Sequence, residues 1–486
     1  MGRAFLTAAA LAGIGVLACA CGHVGSSSGD GVVLFSSPNP VEPTAGTWQT
    51  WLVTDVPALR PAAPPAFSSQ TQADELAALR ARAGARTPAI LANIDLWNTG
   101  TCKVWNEFQR SLIISRKPAP PAAARGFALV STAMYDAMVV AYDAKYLYRR
   151  ARPNALPGGP VLYGTQESSP SYPSGRAAMS AAAAAVLKAL FPADAAAIDQ
   201  KFLDAKNADL DAGIQFQSDV DAGVTVGASV ASLALARKSA DHGDDPQPTY
   251  TASGLPGRWA PGPGAPATPP VLPGWGSVAT WLLPNGSSIR PGAPPTYGGA
   301  LWNAQRDDVL NVNLTLTPER MAIADFWADG GGTVTPPGHW NQIAVDEGVA
   351  HALTDCRIAR MLALLGVAQH DAFVACWECK YHYDVARPVT EIRATVAGQA
   401  AWLPYITTPH FPSYPSGHST TSGAASQILG AIFPDRAIAF AQMAGDAKDS
   451  RIYGGIHYRF DNDTGLDMGR IIGGLAADVA AQDGAP

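Results

Sequence analysis

A group of side chains in the C-terminal third has the types and spacing to hold and react an oxyanion. Lys380 precedes Arg387-Pro388 by seven residues, Pro415-Ser416-Gly417-His418 follows, and Ser450-Arg451 leads to His457 and then, four residues on, to Asp461. Seven residues of α-helix make nearly two turns, so Lys380 and Arg387 fall on one face with stems roughly 10 Å apart along the axis. Pro388 disfavours helical geometry at Arg387 and is predicted to end the helix there, turning the guanidinium toward a pocket. Alone, two cations so spaced describe a solvated face; the neighbouring motifs override that reading. Ser416 can cap a helix whose free N–H groups and dipole attract an anion. Gly417 lets the backbone approach closely, and His418 projects from the first turn. With Arg451 the group becomes a cradle of three cations and backbone donors. On a helix, Asp461 would hold one ring nitrogen of His457 and leave the other as a nucleophile or ligand.

The same signature occurs earlier in altered form. Trp105-Asn106, Asp136, Lys145 and Arg152 match Trp340-Asn341, Asp371, Lys380 and Arg387 at an offset of 235 residues. Beyond them the offset becomes 242, pairing Pro173-Ser174-Gly175 with Pro415-Ser416-Gly417 and Gly213, Asp219, Gly223 and Gly227 with Gly455, Asp461, Gly465 and Gly469. Such a register marks an internal repeat. The earlier copy has Arg176 for His418, Asp209 for Arg451 and Gln215 for His457. It lacks both histidines and carries a carboxylate where an anion needs a cation, so it is expected to be a structural relic.

The elements that must position these groups are helices. The chain has 486 residues, 47% hydrophobic and 15% charged, enough to bury a large core. Ala425, Ile428, Leu429 and Ile432 form a helical stripe after Ser416, ended by Pro434, and Val186, Leu187, Leu190 and Phe191 repeat it. Alternating strand patterns are scarce, which predicts an all-α bundle of two duplicated halves, the first degenerate, packed as one body. The expected divisions are an export signal at 1–21, a Ser/Pro/Gly-rich mobile or surface-wrapping arm at 22–75, a degenerate helical repeat at 76–240, a connector at 241–300 and a catalytic repeat at 301–486. In the connector, Pro and Gly exclude helix, whereas Trp259, Trp275 and Trp281 suggest an ordered loop packed on the body. Helical periodicity resumes near 317.

A net charge of -6 gives no electrostatic case for nucleic acid, so any anion site must be a local basic pocket. Arg3, the apolar run Phe5 to Leu17 and the small residues before Cys19 and Cys21 read as an export signal too short to span a bilayer. Val16-Leu17-Ala18-Cys19 resembles a bacterial lipoprotein cleavage site, implying a lipid anchor to a membrane in the cell envelope or periplasm; the alternative is a plain signal peptide and a secreted product. Cys102, Cys356, Cys376 and Cys379 could form up to two disulfides. Cys376 and Cys379 share an apolar helical face with Leu365, Ala368 and Ala372, so buried free thiols are expected rather than zinc ligands.

The three motifs resemble those of the vanadium-dependent haloperoxidases and the type 2 phosphatidic acid phosphatase superfamily, which share one site for vanadate or phosphate. Phe326-Trp327-Ala328-Asp329-Gly330, Thr335-Pro336-Pro337 and Asn341-Gln342-Ile343 are similar to a segment of the fungal chloroperoxidases. Trp377 and Phe411 match aromatic positions on their halide side, with core packing as the alternative. The resemblance implies an exported bacterial haloperoxidase in which His457 bonds vanadium, while Lys380, Arg387, Ser416, Gly417 and Arg451 hold the equatorial oxygens. It implies further that Asp329 pairs with Arg451, that His418 is the acid/base, that Asp461 orients His457 and that Lys380 polarises bound peroxide. Its partners would be hydrogen peroxide, halide and a small-molecule acceptor, giving hypohalous acid or a halogenated product. The alternative is a phosphomonoesterase, with His457 attacking phosphorus and His418 protonating the leaving oxygen.

Overall fold

The computed structural model describes residues 33–263 and 269–486. The expected export signal lies outside the described residues. Within them the fold is all-helical, with two isolated β-bridges and no extended strand. Seven helices form the first half: α1 Gln70–Gly84, α2 Pro88–Asn98, α3 Thr101–Arg116, α4 Pro120–Tyr148, α5 Gly175–Leu190, α6 Ala195–Ala212 and α7 Gln217–Ala240. Eight form the second: α8 Ala300–Leu314, α9 Pro318–Phe326, α10 Thr335–Ala350, α11 Asp355–Tyr383, α12 Pro388–Thr395, α13 Gly417–Ile432, α14 Ala437–Tyr453 and α15 Arg459–Ala480.

The halves correspond helix for helix except for α12. Where the second half has α12, the first has a short 3-10 turn at Pro153–Ala155. This inserted helix accounts for the step in offset from 235 to 242. A second insertion, the glycine-rich turn at 329–334, lengthens the link between α9 and α10. Both insertions border the cation cluster of the second half. Helix α8 begins at Ala300, earlier than the periodicity near 317 predicts. Only Trp302, Val309 and Leu310 of it are buried, and Asn303, Asn311 and Asn313 weaken the apolar pattern, so its stability comes from packing on α12 and α14.

The two 29-residue helices α4 and α11 pack along each other at the centre. Equivalent residues meet across this seam. Asn106 Nδ2 donates to Asn341 Oδ1 at 2.8 Å, and Trp51 meets Trp281 edge-on at 6.0 Å. The Pro-rich segments are also matched. Buried Asp136 accepts from the backbone of Trp51, Leu52 and Val53, and buried Asp371 from Trp281, Leu282 and Leu283. Residues 45–62 and 275–292 thus dock on their halves in the same way, so the described part of the arm wraps the surface. Burial pushes both carboxyls up to about 6, and the three backbone N–H bonds each receives act against that rise.

Helices α13 and α15 approach through glycines spaced four apart. A Cβ at Gly465 would lie 2.6 Å from the Ser416 carbonyl oxygen, and one at Gly469 only 2.0 Å from that of Thr420. This contact brings together the two N-termini that carry Ser416 and Asp461, and Ser416 N donates to Asp461 O at 2.9 Å. Gly469→Ala is therefore expected to push the helices apart, costing about 1–3 kcal/mol in urea unfolding. An unchanged midpoint would contradict the close-packing account.

Candidate active site

The four predicted groups Lys380, Arg387, Arg451 and His457 come together, all at most 2% exposed. Their helices do not run as the spacing suggests. Helix α11 ends at Tyr383 with Asp384 in the left-handed region, and Arg387 is the extended N-cap residue of α12. Lys380 and Arg387 therefore converge across a helix break instead of sharing one face. Likewise His457 lies before α15, and Asp461 is its third residue, so the two meet across a helix start and not within a helix.

Among the described residues, Arg387 is the one of the three cations with a nitrogen that has no hydrogen-bond partner. Its Nε donates to the Phe411 carbonyl at 2.8 Å, and one terminal nitrogen reaches the Ile456 carbonyl and His457 Nε2, each at 2.9 Å. The other terminal nitrogen, Nη2, is buried without a partner. A buried charged donor left unpaired is costly unless a ligand completes it. Arg451 spends its donors on Ser450, the carbonyls of Trp327 and Ala328, and His418 Nε2 at 3.3 Å. Lys380 Nζ donates to the carbonyls of Pro412 and Ser413 at 2.9 and 2.8 Å and of Pro415 at 2.5 Å. In this geometry the ammonium shapes the 412–415 loop and supplies positive field, and it presents no free proton to a ligand. Burial holds Lys380 below the lysine range and pushes both arginines down to about 10.

The tautomer of His457 follows from its neighbours. Arginine can only donate, so His457 Nε2 must accept from Arg387. Its Nδ1 then carries the proton and donates to Asp461 Oδ2 at 2.8 Å. Asp461 Oδ2 is fixed further by Ser413 Oγ at 2.5 Å and Tyr458 N at 3.1 Å. The Nε2 lone pair is thereby directed at the cations, as a nucleophile or ligand requires. Ser416 caps α13 by accepting from Ser419 N, leaving that helix start on the cradle. A Cβ at Gly417 would lie 3.2 Å from the Trp377 ring, so the glycine is set by packing as well.

Three expectations need correction or division. Asp329 pairs with His339 Nδ1 at 3.1 Å and not with Arg451, although its charge still favours the protonated guanidinium. His339, which the sequence reading missed, also stacks on Trp327 at 4.5 Å, so it braces the turn whose carbonyls receive Arg451. Trp377 is a core residue donating to the Val271 carbonyl, whereas Phe411 borders the cradle, its ring 4.8 Å from the Arg387 guanidinium and 5.1 Å from Lys380 Nζ. Cys102, Cys356, Cys376 and Cys379 are all free and buried, which for Cys376 and Cys379 is what their apolar helical face suggested. A cavity of about 340 Å³ reaches Arg387, walled by Trp259, Pro263, Val389, Leu403, Ile406 and Pro409 among others.

The first half repeats the cradle and closes it. Arg152 donates to the carbonyls of Ser169 and Ile214 as Arg387 does to those of Phe411 and Ile456, but its remaining nitrogen meets Ser169 Oγ at 2.9 Å. With its amide turned to satisfy both ends, Gln215 accepts from Arg152 at 3.0 Å and donates to Asp219 at 3.0 Å, the two bonds His457 makes. Arg176 donates to the Trp97 carbonyl, the counterpart of Trp327, and pairs with Asp209 at 2.7 Å. The first half has therefore kept a third cation by moving it from one position to another, which the register alone hides.

A family model described as the VCPO second helical-bundle domain matches residues 360–441 and 435–483. Vanadium chloroperoxidase of Curvularia inaequalis is 29% identical over 171 residues, 28% of this chain and 28% of that protein's length. Over these residues the second half is similar to the vanadium-dependent haloperoxidases. The haloperoxidase fold extends over most of the described structure. A crystal structure of a bacterial vanadium-dependent iodoperoxidase superposes with a TM-score of 0.64 at 24% identity, covering 78% of this chain and 95% of that one. The holo form of a bacterial vanadium-dependent chloroperoxidase gives 0.57 at 16% identity, covering 76% and 94%.

Buried histidines give this haloperoxidase fold a definite acid limit. Burial, reinforced by Arg451 at His418 and Arg387 at His457, holds both imidazoles well below their usual value, and burial pushes His370 down to about 4. An unfolded histidine binds its proton near pH ~6.5, where the folded ones do not. The unfolded state thus holds more protons below that pH, and stability falls as pH drops through it. Asp136, Asp371 and Asp461, which burial raises to about 6, act in the opposite sense, so the test is a difference: the thermal midpoint of His370→Gln should gain on that of the parent as pH falls from 6.5 to 4.5, and a constant difference would contradict the assignment.

Proposed function

We propose that the protein is a vanadate-dependent haloperoxidase that oxidises halide with hydrogen peroxide, delivering hypohalous acid or a halogenated small molecule. One observation carries the reading: the buried Arg387 Nη2 has no partner beside a His457 Nε2 whose lone pair is fixed by Asp461. The donor set is cationic, as an oxyanion needs, rather than the carboxylates or thiolates that suit a bare metal cation. Vanadate, when bound, supplies a Lewis-acidic centre that activates peroxide toward halide without changing its oxidation state.

The side chains divide the remaining work. Arg387 Nη2 and the N–H groups at the start of α13, with Gly417, would hold oxygens, and His457 Nε2 would bond the central atom. Arg451 and Lys380 supply field and fix the 327–329 turn and the 412–415 loop. His418, neutral in the free cradle, takes or returns a proton through its imidazole. Phe411 covers the guanidinium of Arg387, and the proline-rich wall of the cavity that reaches Arg387 suits a small acceptor. Residues 1–21 support an exported protein acting in the cell envelope or as a secreted product, and the arm and connector are assigned to the halves they dock on.

The test loads the apoprotein with orthovanadate, adds peroxide and bromide or iodide, and follows halogenation of a phenolic dye. Phosphate-ester hydrolysis without vanadate is measured in parallel. Halogenation that requires vanadate, with slower ester hydrolysis, supports the proposal. Ester hydrolysis alone would assign the cradle to phosphoryl transfer instead.

A further inference from the structure

The counterpart of the cradle in the first half is a cavity of about 310 Å³. Trp97, Tyr142, Lys145, Arg176, Asp209 and Gln215 line it, and Leu353, Asp355 and Ile358 close it from the other half. Both histidines are missing, so no imidazole there can bond phosphorus or vanadium. Burial in an ordinary core would have filled this hollow; instead it keeps a polar floor and an apolar wall of Met179, Ile214, Leu353 and Ile358.

The hydrogen-bond inventory states what the floor can still accept. Each carboxylate is engaged: Asp209 with Arg176 and Ser174, Glu167 with the Tyr142 hydroxyl, and Asp355 with the N–H groups of Thr101 and Cys102 at the start of α3. Lys145 and Arg152 have no carboxylate partner among the described ion pairs. Lys145 Nζ donates to two carbonyls, those of Pro170 and Ser171, where Lys380 serves three, so one of its three protons is unspent. The Nε–H of Arg176 and the indole N–H of Trp97 are buried without acceptors. Unspent capacity is therefore in donors, while the cations Lys145, Arg152 and Arg176 balance the carboxylates Glu167, Asp209 and Asp355. The carboxylate of Asp209, at the position of Arg451, opposes a multiply charged tetrahedral anion. A singly charged ligand with an apolar body meets both walls.

We propose that this hollow is a second, noncatalytic binding site for a small organic monocarboxylate, its head group against Lys145 and Arg176 and its body along Met179, Ile214, Leu353 and Ile358. The site is independent of the reaction proposed for the second half, and inorganic phosphate, which should occupy only the His457 cradle, separates the two. Calorimetric titration of the phosphate-saturated protein with benzoate should show one equivalent bound per chain, with no displacement of phosphate. Met179→Phe and Leu353→Trp, which fill the hollow and its lip, should each weaken benzoate binding at least tenfold while phosphate binding, the control for folding, stays unchanged. Absence of benzoate binding, competition between benzoate and phosphate, or binding unaffected by both variants would overturn the proposal.

Discussion

Replacing His457 with glutamine should leave a folded protein with halogenating activity lowered by ~10³-fold or more. The first half shows why the fold survives: Gln215 occupies the equivalent place, bonded to Arg152 and Asp219 as His457 is to Arg387 and Asp461. An amide fills the space and satisfies both neighbours, yet its oxygen cannot replace an imidazole lone pair as ligand or nucleophile. The vanadate-dependent rate and the thermal midpoint are measured together. A midpoint within a few degrees of the parent, with the rate lost, is the expected pair. The reciprocal change, Gln215→His, should leave activity unaltered, because Ser169 already completes Arg152. Equal losses from the two substitutions would refute the division of labour between the halves.

The second large effect concerns Phe411. At the equivalent position Ser169 Oγ accepts from the guanidinium of Arg152, and Phe411 cannot do the same for Arg387. Phe411→Ser would offer Arg387 an internal acceptor that an oxyanion must displace. A charge-assisted hydrogen bond contributes about 1.5–3 kcal/mol, so phosphate affinity should fall roughly tenfold to a hundredfold. Phe411→Ala removes the ring without adding the hydroxyl and should lose less. If serine binds phosphate as tightly as phenylalanine, the unpaired guanidinium donor is not what holds the ligand.

Much of this was legible because the repeat supplies an internal comparison. The offset of 235 residues and its later step to 242 located the matched positions, and the missing histidines are why the sequence reading assigned the chemistry to the second half. Motif spacing also gave the Ser416 cap and the Asp461 contact to His457. What it could not give was geometry across helix breaks. Asp384 in the left-handed region ends α11 before Arg387, and no helical-face argument anticipates the turn that follows. The partner of Asp329 was missed because His339 approaches it from α10, ten residues on, through stacking on Trp327 that leaves no sequence period. The exchange of Arg176 for Arg451 was hidden for a related reason: two residues swapped charge between helices while the cation stayed in place. One signal was available, since a lost arginine and a gained one at neighbouring positions of a site suggest compensation. The Pro-rich segments read as arm and connector because they lack periodicity, although Trp51 and Trp281 with Asp136 and Asp371 already carried the matched register.

One tetrahedral oxyanion, vanadate or phosphate, is expected in the second half, bonded to His457 and completed by Arg387, with no such ion in the first. The most direct measurement is a crystal structure of the protein soaked with vanadate. The account predicts density at bonding distance from His457 Nε2, beside Arg387 Nη2 and the start of α13, with no vanadate near Gln215. Vanadate bound in the hollow of the first half, or in the second half away from His457, would contradict it.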